Sequence, residues 1–496
     1  MTTAVKDYSL AGAETERAIA DGLAEADWYH SPIDPELLRL LSERSNARAG
    51  ADAILWLVLL CGSAAVALTN WGNWLVFVPA YIVFSAMYGG ASDPRWHECG
   101  HGTAFKTDIF NTLLYYPASF MLFRGPTYWK WSHVRHHSDT IIVGRDAEIV
   151  FPRPSSTILW VVDLLHFVSG PKMLAQMARH ARGRLAEGEK SLLPPAAQPK
   201  VVWEARISLT ILAGALVWSM ATTSLLPVLF IGGPTFLGSW LLKFFGTTQH
   251  AGLQENVLDH RLNTRTVLMN PVFRFLYLNM NYHVEHHMVP IVPYRNLPKL
   301  HEAIKDDLPE PHPNNLSAYR ELFGALKAQR ADTSWEVPTS NPTPAPTSTS
   351  SGGPGEIDPP TGDTRVHQGS DGAVDVTPPS LTDGTILKID VADSTYAAYR
   401  LGDEWFVTDG ICTHSRRVHL STGVIVEGQI ECPRHNGRFD IATGAPTREP
   451  VCEALQTYPT TPTGSGFRFH PQPVSGTPGV GSRHARVPDA GTRGGR

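Results

Sequence analysis

Two stretches of this chain contain no Asp, Glu, Lys or Arg at all: residues 53–92, a run of 40, and residues 207–242, a run of 36. A helix crossing a bilayer needs about 20 apolar residues, so each run has the length of two spans and a turn. The first turn reads Thr69-Asn70-Trp71-Gly72-Asn73, and the second lies at Thr222-Thr223-Ser224, just before Pro227. The expected spans are therefore 53–70, 73–92, 203–222 and 226–246. Buried hairpins of a soluble core are the competing reading, but core helices rarely run so long without a charge. The mean hydropathy of −0.14 conceals the spans by averaging them against polar segments.

The two short turns carry no Lys or Arg. The other side holds Arg39, Arg44, Arg48, Arg95, Lys106, Arg124, Lys130, Arg135, Lys243 and Arg261. The positive-inside rule puts both termini and every long loop in the cytoplasm of a multi-pass inner (plasma) membrane protein. Residues 1–50 are polar and read as a cytoplasmic segment without a cleavable signal peptide. The apolar runs at 109–123, with Pro117, and at 160–168, broken by Asp163 and His166, are too short to span and read as interfacial or re-entrant. A net charge of −5 gives no basic signature for nucleic acid, and five cysteines in 496 residues cannot build a disulfide framework.

Composition changes after residue 330. Of the 14 residues 338–351, 12 are Pro, Thr or Ser, and residues 331–373 read as a linker. Short strand-like runs follow at 385–389, 396–401, 405–407, 424–426 and 466–469, punctuated by Gly402-Asp403 and Asp409-Gly410. They predict a small all-β domain over 374–472, with a Gly/Pro/Arg-rich disordered tail at 473–496. The fold class is thus an α-helical membrane domain, 51–330, followed by a β domain.

The histidines cluster. His97 and His101 form H-x-x-x-H; His133, His136 and His137 form H-x-x-H-H; His283, His286 and His287 repeat that form. Positions i, i+3 and i+4 share a helix face, so each group can aim its imidazoles at one point. His97 follows the second span and His250 the fourth, so all three groups and His250 meet at one membrane face. Nine imidazoles exceed one metal's capacity and fit two metals with four or five ligands each. His166, His180, His301 and His312 read as ordinary surface or core residues, and His260 stays open. HECGH also fits the H-E-x-x-H zinc-protease signature, with Glu98 as general base. A single zinc would leave both H-x-x-H-H groups unexplained.

Cys412-x-His414 and Cys432-x-x-His435 place one Cys and one His in each of two loops. That is the ligand set of a Rieske [2Fe–2S] centre; a structural Cys₂His₂ zinc site is the alternative. A one-electron carrier has no use in hydrolysis. Its fusion to a polyhistidine site argues for redox-active metals there, and imidazole suits iron. The combined reading is a di-iron centre using O₂ as co-substrate. Taking two hydrogens from a substrate supplies two of the four electrons that O₂ needs, so the cluster delivers two more, one at a time. No G-x-G-x-x-G is present, so a separate NAD(P)H-dependent ferredoxin reductase must reduce the cluster.

These motifs resemble the membrane fatty acid desaturase and alkane hydroxylase superfamily over residues 28–323. The resemblance implies iron ligation by His97, His101, His133, His136, His137, His283, His286 and His287, and by His250 in QHAGL. His260-Arg261-Leu262-Asn263-Thr264-Arg265 and NMNYHVEHH look closer to the rhizopine-catabolism oxygenase branch. The C-terminal part, with CPRHNGRFD, resembles that pathway's Rieske ferredoxin. The chain departs from the commoner Rieske pattern by Arg416 and Asn436, each standing where a glycine is usual. The resemblance implies a desaturase acting on unactivated C–H bonds of a lipid or fatty acyl substrate. Hydroxylation or oxidative demethylation is the alternative, an intramembrane zinc protease a distant one. A membrane protein that only carries electrons would keep both metal sites and consume no substrate.

High-potential Rieske centres resemble C-P-C-H-G-S-x-Y, where Ser and Tyr hydroxyls bond the cluster sulfurs. Gly437 and Phe439 occupy those places here, and no cysteine pair braces the loops. Fewer donors stabilise the reduced cluster less, so the midpoint is expected below about 0 mV within the Rieske range. Redox titration monitored by electron paramagnetic resonance checks this, and a midpoint above about +150 mV contradicts it.

Overall fold

The computed structural model describes residues 6–24, 26–149, 151–338 and 364–471. Most of the stretch read as linker, and the tail from 472, lie outside the described residues. The chain forms a helical unit and a β unit.

Four helices are long and apolar enough to cross a membrane: Asn46–Thr69, Trp74–His101, Pro195–Thr222 and Leu226–His250. Each hairpin turns where the sequence predicts. The second and fourth helices run further than expected and carry His97, His101 and His250 at their ends. The polar HECGH and QH residues continue the helices because neighbouring elements bury His97, Glu98, Cys99 and His101 and partly cover Gln249 and His250. Two turns shape the second span. It breaks between Gly89 and Ser92, and its last segment closes at Gly102, whose φ of +67° ends the helix in the left-handed conformation.

The first span turns Leu55, Leu57 and Val58 outward, 49%, 42% and 60% exposed, as a lipid-facing helix would. The second span is more buried and packs against the first and the fourth. The fourth approaches closely through glycine: a Cβ at Gly238 would fall 1.7 Å from the Ser85 carbonyl oxygen, and one at Gly90 would fall 2.9 Å from the Gly238 oxygen. Small residues are what let two apolar helices touch backbones. Asp108–Met121 and Thr157–Asp163 are short helices with outward Ile109, Leu113, Ile158 and Val161.

The β unit holds three four-stranded antiparallel sheets. One pairs Ile386–Val391, Ser394–Leu401, Glu404–Asp409 and Thr457–Tyr458. Its core gathers Ile389, Tyr396, Trp405, Phe467 and Phe469. The first strand, Arg365–Gln368, pairs with Val374–Thr377 and so begins inside the stretch read as linker. Its four residues are all exposed, and a strand that buries neither face leaves no alternation to read.

Gly238→Leu is expected to prevent folding of the helical unit, at a cost of at least about 3 kcal/mol. Gly214→Leu, a span position where an added Cβ meets nothing within 4 Å, should leave thermal unfolding in detergent unchanged.

Candidate metal centres

All nine predicted histidines converge, in two groups. His97, His101, His133, His137 and His286 form one; His136, His250, His283 and His287 form the other. Within each group the ligand atoms lie within 4.8 Å of one another. The partition corrects the expectation that each motif serves one point. On Pro126–Ser138, His133 and His137 enter the first group and His136 the second. On His283–Met288 the split is reversed, with His283 and His287 in the second group and His286 in the first. In both motifs the i, i+4 pair goes one way and the i+3 residue the other. His137 and His287 stack between the groups at 4.3 Å and 19°.

The nitrogen separations test whether a cation fits. Nε2 of His133 lies 3.1 Å from Nε2 of His101 and 3.2 Å from that of His137, which is 3.2 Å from that of His286. In the second group Nε2 of His283 lies 3.1 Å from that of His250 and 3.2 Å from that of His287. A neutral imidazole Nε2 carries one proton or one lone pair, so it cannot bond two such neighbours at once. On metal–nitrogen bonds of about 2.1 Å, adjacent ligand nitrogens stand roughly 3.0 Å apart at a right angle and roughly 3.4 Å apart at the tetrahedral angle. The spacings match shared ligation and fit a hydrogen-bonded chain poorly.

The opposite ring nitrogens face groups that would orient them. Nδ1 of His136 meets Asp146 at 2.9 Å, that of His133 meets Glu148 at 3.2 Å, and that of His250 meets the Asn263 carbonyl oxygen at 2.9 Å. An Nδ1–H donated to such acceptors leaves the Nε2 lone pair for a metal. Burial, reinforced by neighbouring imidazoles, holds His137, His283, His286 and His287 well below the usual histidine range, in the neutral form that ligates. Burial also opposes charge on His136, but Asp146 outweighs it and raises its pKa. Glu148 is half-buried, which alone would raise its pKa, but His133 beside it brings it down to about 2.

Glu204 of the third span caps the helix that carries the second motif, accepting from the Thr127 N–H at 2.8 Å and the Thr127 Oγ1 at 2.7 Å. Sequence reasoning missed Glu204, Asp146, Glu148 and Asn263. The pair Asp146-x-Glu148, shortly after HVRHH, was the available signal. His260 lies outside both groups, stacked on Trp28 at 4.3 Å. His166, His180, His301 and His312 pair elsewhere, with Ser169, Glu189, Glu285 and Ser317. Glu98 does not act as a protease base would: its Oε1 accepts from Thr103 Oγ1 at 2.6 Å and the Tyr294 N–H at 3.1 Å.

Along the chain, Cys412 and His414 follow the strand Glu404–Asp409, and Cys432 and His435 lie between Gln429–Glu431 and Arg438–Asp440. Each loop folds back on its cysteine: Arg416 N–H donates to the Cys412 oxygen at 2.8 Å, and Asn436 N–H to the Cys432 oxygen at 3.1 Å. Arg416 and Asn436 have φ of 53° and 57°, the left-handed conformation that the usual glycines adopt.

Four candidate spans, two polyhistidine clusters and two Cys/His loops that follow strands of the C-terminal region define a membrane metal-dependent oxidoreductase with its own electron carrier. Residues 38–317 match the family described as Fatty acid desaturase, and residues 374–459 match the Rieske [2Fe-2S] domain. The first match covers more than half of the chain, which belongs to the fatty acid desaturase family and bears a fused Rieske domain. The Rieske part is 37% identical over 79 residues to the ferredoxin component of a naphthalene 1,2-dioxygenase system from Pseudomonas putida, covering 16% of this chain and 75% of that protein. It is 43% identical over 63 residues to the anthranilate 1,2-dioxygenase ferredoxin subunit of Burkholderia cepacia, covering 13% and 57%. Among solved structures, the ferredoxin of carbazole 1,9a-dioxygenase from Nocardioides aromaticivorans IC177 is 33% identical, covers 19% of this chain and 93% of its own, and has a TM-score of 0.19. The protein is an O₂-using oxidoreductase whose cofactors are two irons and a [2Fe–2S] cluster. The protease reading falls with that finding.

Asp146→Asn is expected to lower iron affinity by roughly 10–100-fold, since outer partners of a ligating histidine contribute about that much. Metal analysis after dialysis against a chelator measures it, and the Rieske spectrum of the same sample should be unchanged. Full iron retention would remove Asp146 from this role.

Proposed function

We propose that this chain is a desaturase that removes two hydrogens from an unactivated C–H pair of a lipid or fatty acyl substrate. The two irons are held by the nine clustered histidines, and the cluster by Cys412, His414, Cys432 and His435. The observation that carries this reading is the division of nine imidazoles, eight buried and His250 half-buried, into groups of five and four, with His97, His101 and His250 on the ends of membrane-spanning helices and the other six on the short helices Pro126–Ser138 and His283–Met288. When bound, the irons supply O₂ activation. The residues supply the rest: neutral Nε2 lone pairs, Nδ1 atoms oriented by Asp146, Glu148 and the Asn263 carbonyl, and burial that excludes water.

The Rieske domain passes in two electrons singly for each O₂ consumed. A separate NAD(P)H-dependent reductase refills it, in keeping with relatives named as components of multi-protein systems. The distribution of Lys and Arg supports histidines and Rieske domain on the cytoplasmic side of the plasma membrane. Hydroxylation is the second reading, favoured by the dioxygenase systems whose ferredoxins the Rieske part resembles. The two reactions differ in sub-ångström substrate placement.

Expression in a bacterial host, followed by lipid mass spectrometry and substrate-dependent O₂ uptake, tests the proposal. Wild-type protein should produce a lipid lacking two hydrogens, and His137→Ala should abolish both signals. A lipid that gains one oxygen instead selects hydroxylation. Absence of any substrate-dependent O₂ uptake would reject both.

A further inference from the structure

The two histidine groups are supported unequally from behind. In the group of four, every Nδ1 faces a polar partner. Nδ1 of His136 meets Asp146, whose Oδ2 also accepts the Ile141 N–H at 2.8 Å and whose Oδ1 accepts the Glu148 N–H at 2.8 Å. Nδ1 of His250 meets the Asn263 carbonyl oxygen, and that of His287 lies 3.2 Å from Thr140 Oγ1. The Thr140 hydroxyl donates its proton to the His136 carbonyl oxygen at 2.6 Å, so toward His287 it can only accept. The Gln249 amide stands 3.3 Å from Nδ1 of His283 and offers its oxygen there when turned about its last bond.

The group of five is different. His133 has a carboxylate behind it, Glu148 at 3.2 Å. Nδ1 of His97 meets the Met280 sulfur at 3.0 Å, and a thioether is a weak acceptor. Nδ1 of His101 reaches Oδ1 of Asn436, also of the helical unit, at 3.3 Å. Nδ1 of His137 and Nδ1 of His286 are buried and have no hydrogen-bond partner among the described residues.

A neutral imidazole that binds a metal through Nε2 carries its proton on Nδ1. An acceptor there fixes the ring and raises its basicity, and such a partner contributes about 10–100-fold in metal affinity. A buried N–H without an acceptor works against the bond, because it has lost water and gained nothing. Ligand number runs the other way, five against four. Yet ligation by His137 and His286 requires such an orphaned proton in each. That leaves three partnered imidazoles in the group of five against four in the other, and one of the three has only sulfur.

We propose that the two irons are held unequally: tightly by His136, His250, His283 and His287, and exchangeably by His97, His101, His133, His137 and His286. This rests on the di-iron reading above and adds an order of loading to it. The test is equilibrium dialysis of purified full-length protein in detergent against ferrous iron buffered by nitrilotriacetate, without O₂ or substrate, so that turnover plays no part. Bound iron is counted by mass spectrometry, and the cluster's share is subtracted from its absorbance. Wild type should fill in two steps of one iron each, separated by at least about tenfold in free iron. Thr140→Val removes the acceptor behind His287 and should draw the tighter step about tenfold toward the looser one, while Thr140→Ser should keep it in place. Glu148→Gln weakens the support of His133 and should widen the gap instead. Both irons entering together in a single step overturns the proposal, a result that needs no variant to fold. So does a gap that widens with Thr140→Val or narrows with Glu148→Gln. Each of these failures leaves two irons and C–H oxidation standing, whereas a protein that takes up no iron beyond the cluster overturns the di-iron reading as well.

Discussion

Everything in the helical unit answers to one constraint: nitrogen atoms of like chemistry must sit about 3 Å apart in a dry place. Neutral imidazoles at that spacing gain little from each other: Nε2 of His133, of His137 and of His283 each faces two neighbours that cannot both be its hydrogen-bond partner. A polar group buried without a partner costs about 1–3 kcal/mol. Cations that took these lone pairs would relieve that cost, and metal binding would then be coupled to the fold of this region. The backbone must therefore hold the rings in place. Membrane spans ending on His101 and His250 supply stiff supports, and Glu204 fixes the start of the helix bearing the second motif.

The two groups contain only imidazoles, so ligation by them alone would put no negative charge in contact with a metal. Asp146 and Glu148 provide it one bond further out, through Nδ1 of His136 and His133. Placing the carboxylates there keeps the ligand atoms uniform and still offsets the cations. The two acids divide between the groups, one behind a member of each. The third motif differs. Its Glu285 bonds Thr266 and His301 and stiffens the short helix His283–Met288 from behind, without touching a ring of either group.

What was legible in the sequence was local. Charge-free runs, H-x-x-H-H spacing and Cys-x-His depend on neighbours along the chain, and each appears where expected. The division of each motif between two points was hidden, because it depends on how far Pro126–Ser138 and His283–Met288 are rotated toward one another, which no single helix encodes. Asp146 and Asn263 were hidden for a similar reason: an isolated acid or a backbone carbonyl carries no periodicity. Span lengths were underestimated because HECGH and QH read as polar exits, whereas the packed core lets the helices continue. The first β strand escaped notice because its residues, Arg365–Gln368, are exposed on both faces.

The Rieske loops show what such a pattern constrains. Two residues that break it, Arg416 and Asn436, still adopt φ near +55°, so the backbone path is kept where the glycine is lost. Asparagine visits that conformation readily, and arginine pays somewhat more, on the order of 1 kcal/mol. The return comes from the turns themselves, since the N–H of each of these residues closes onto the carbonyl of a cysteine four positions earlier. Those bonds fix where each sulfur is carried. Glycine in the pattern is thus a low-strain means to a loop shape, and the cysteine-centred hydrogen bond is the feature that the fold retains.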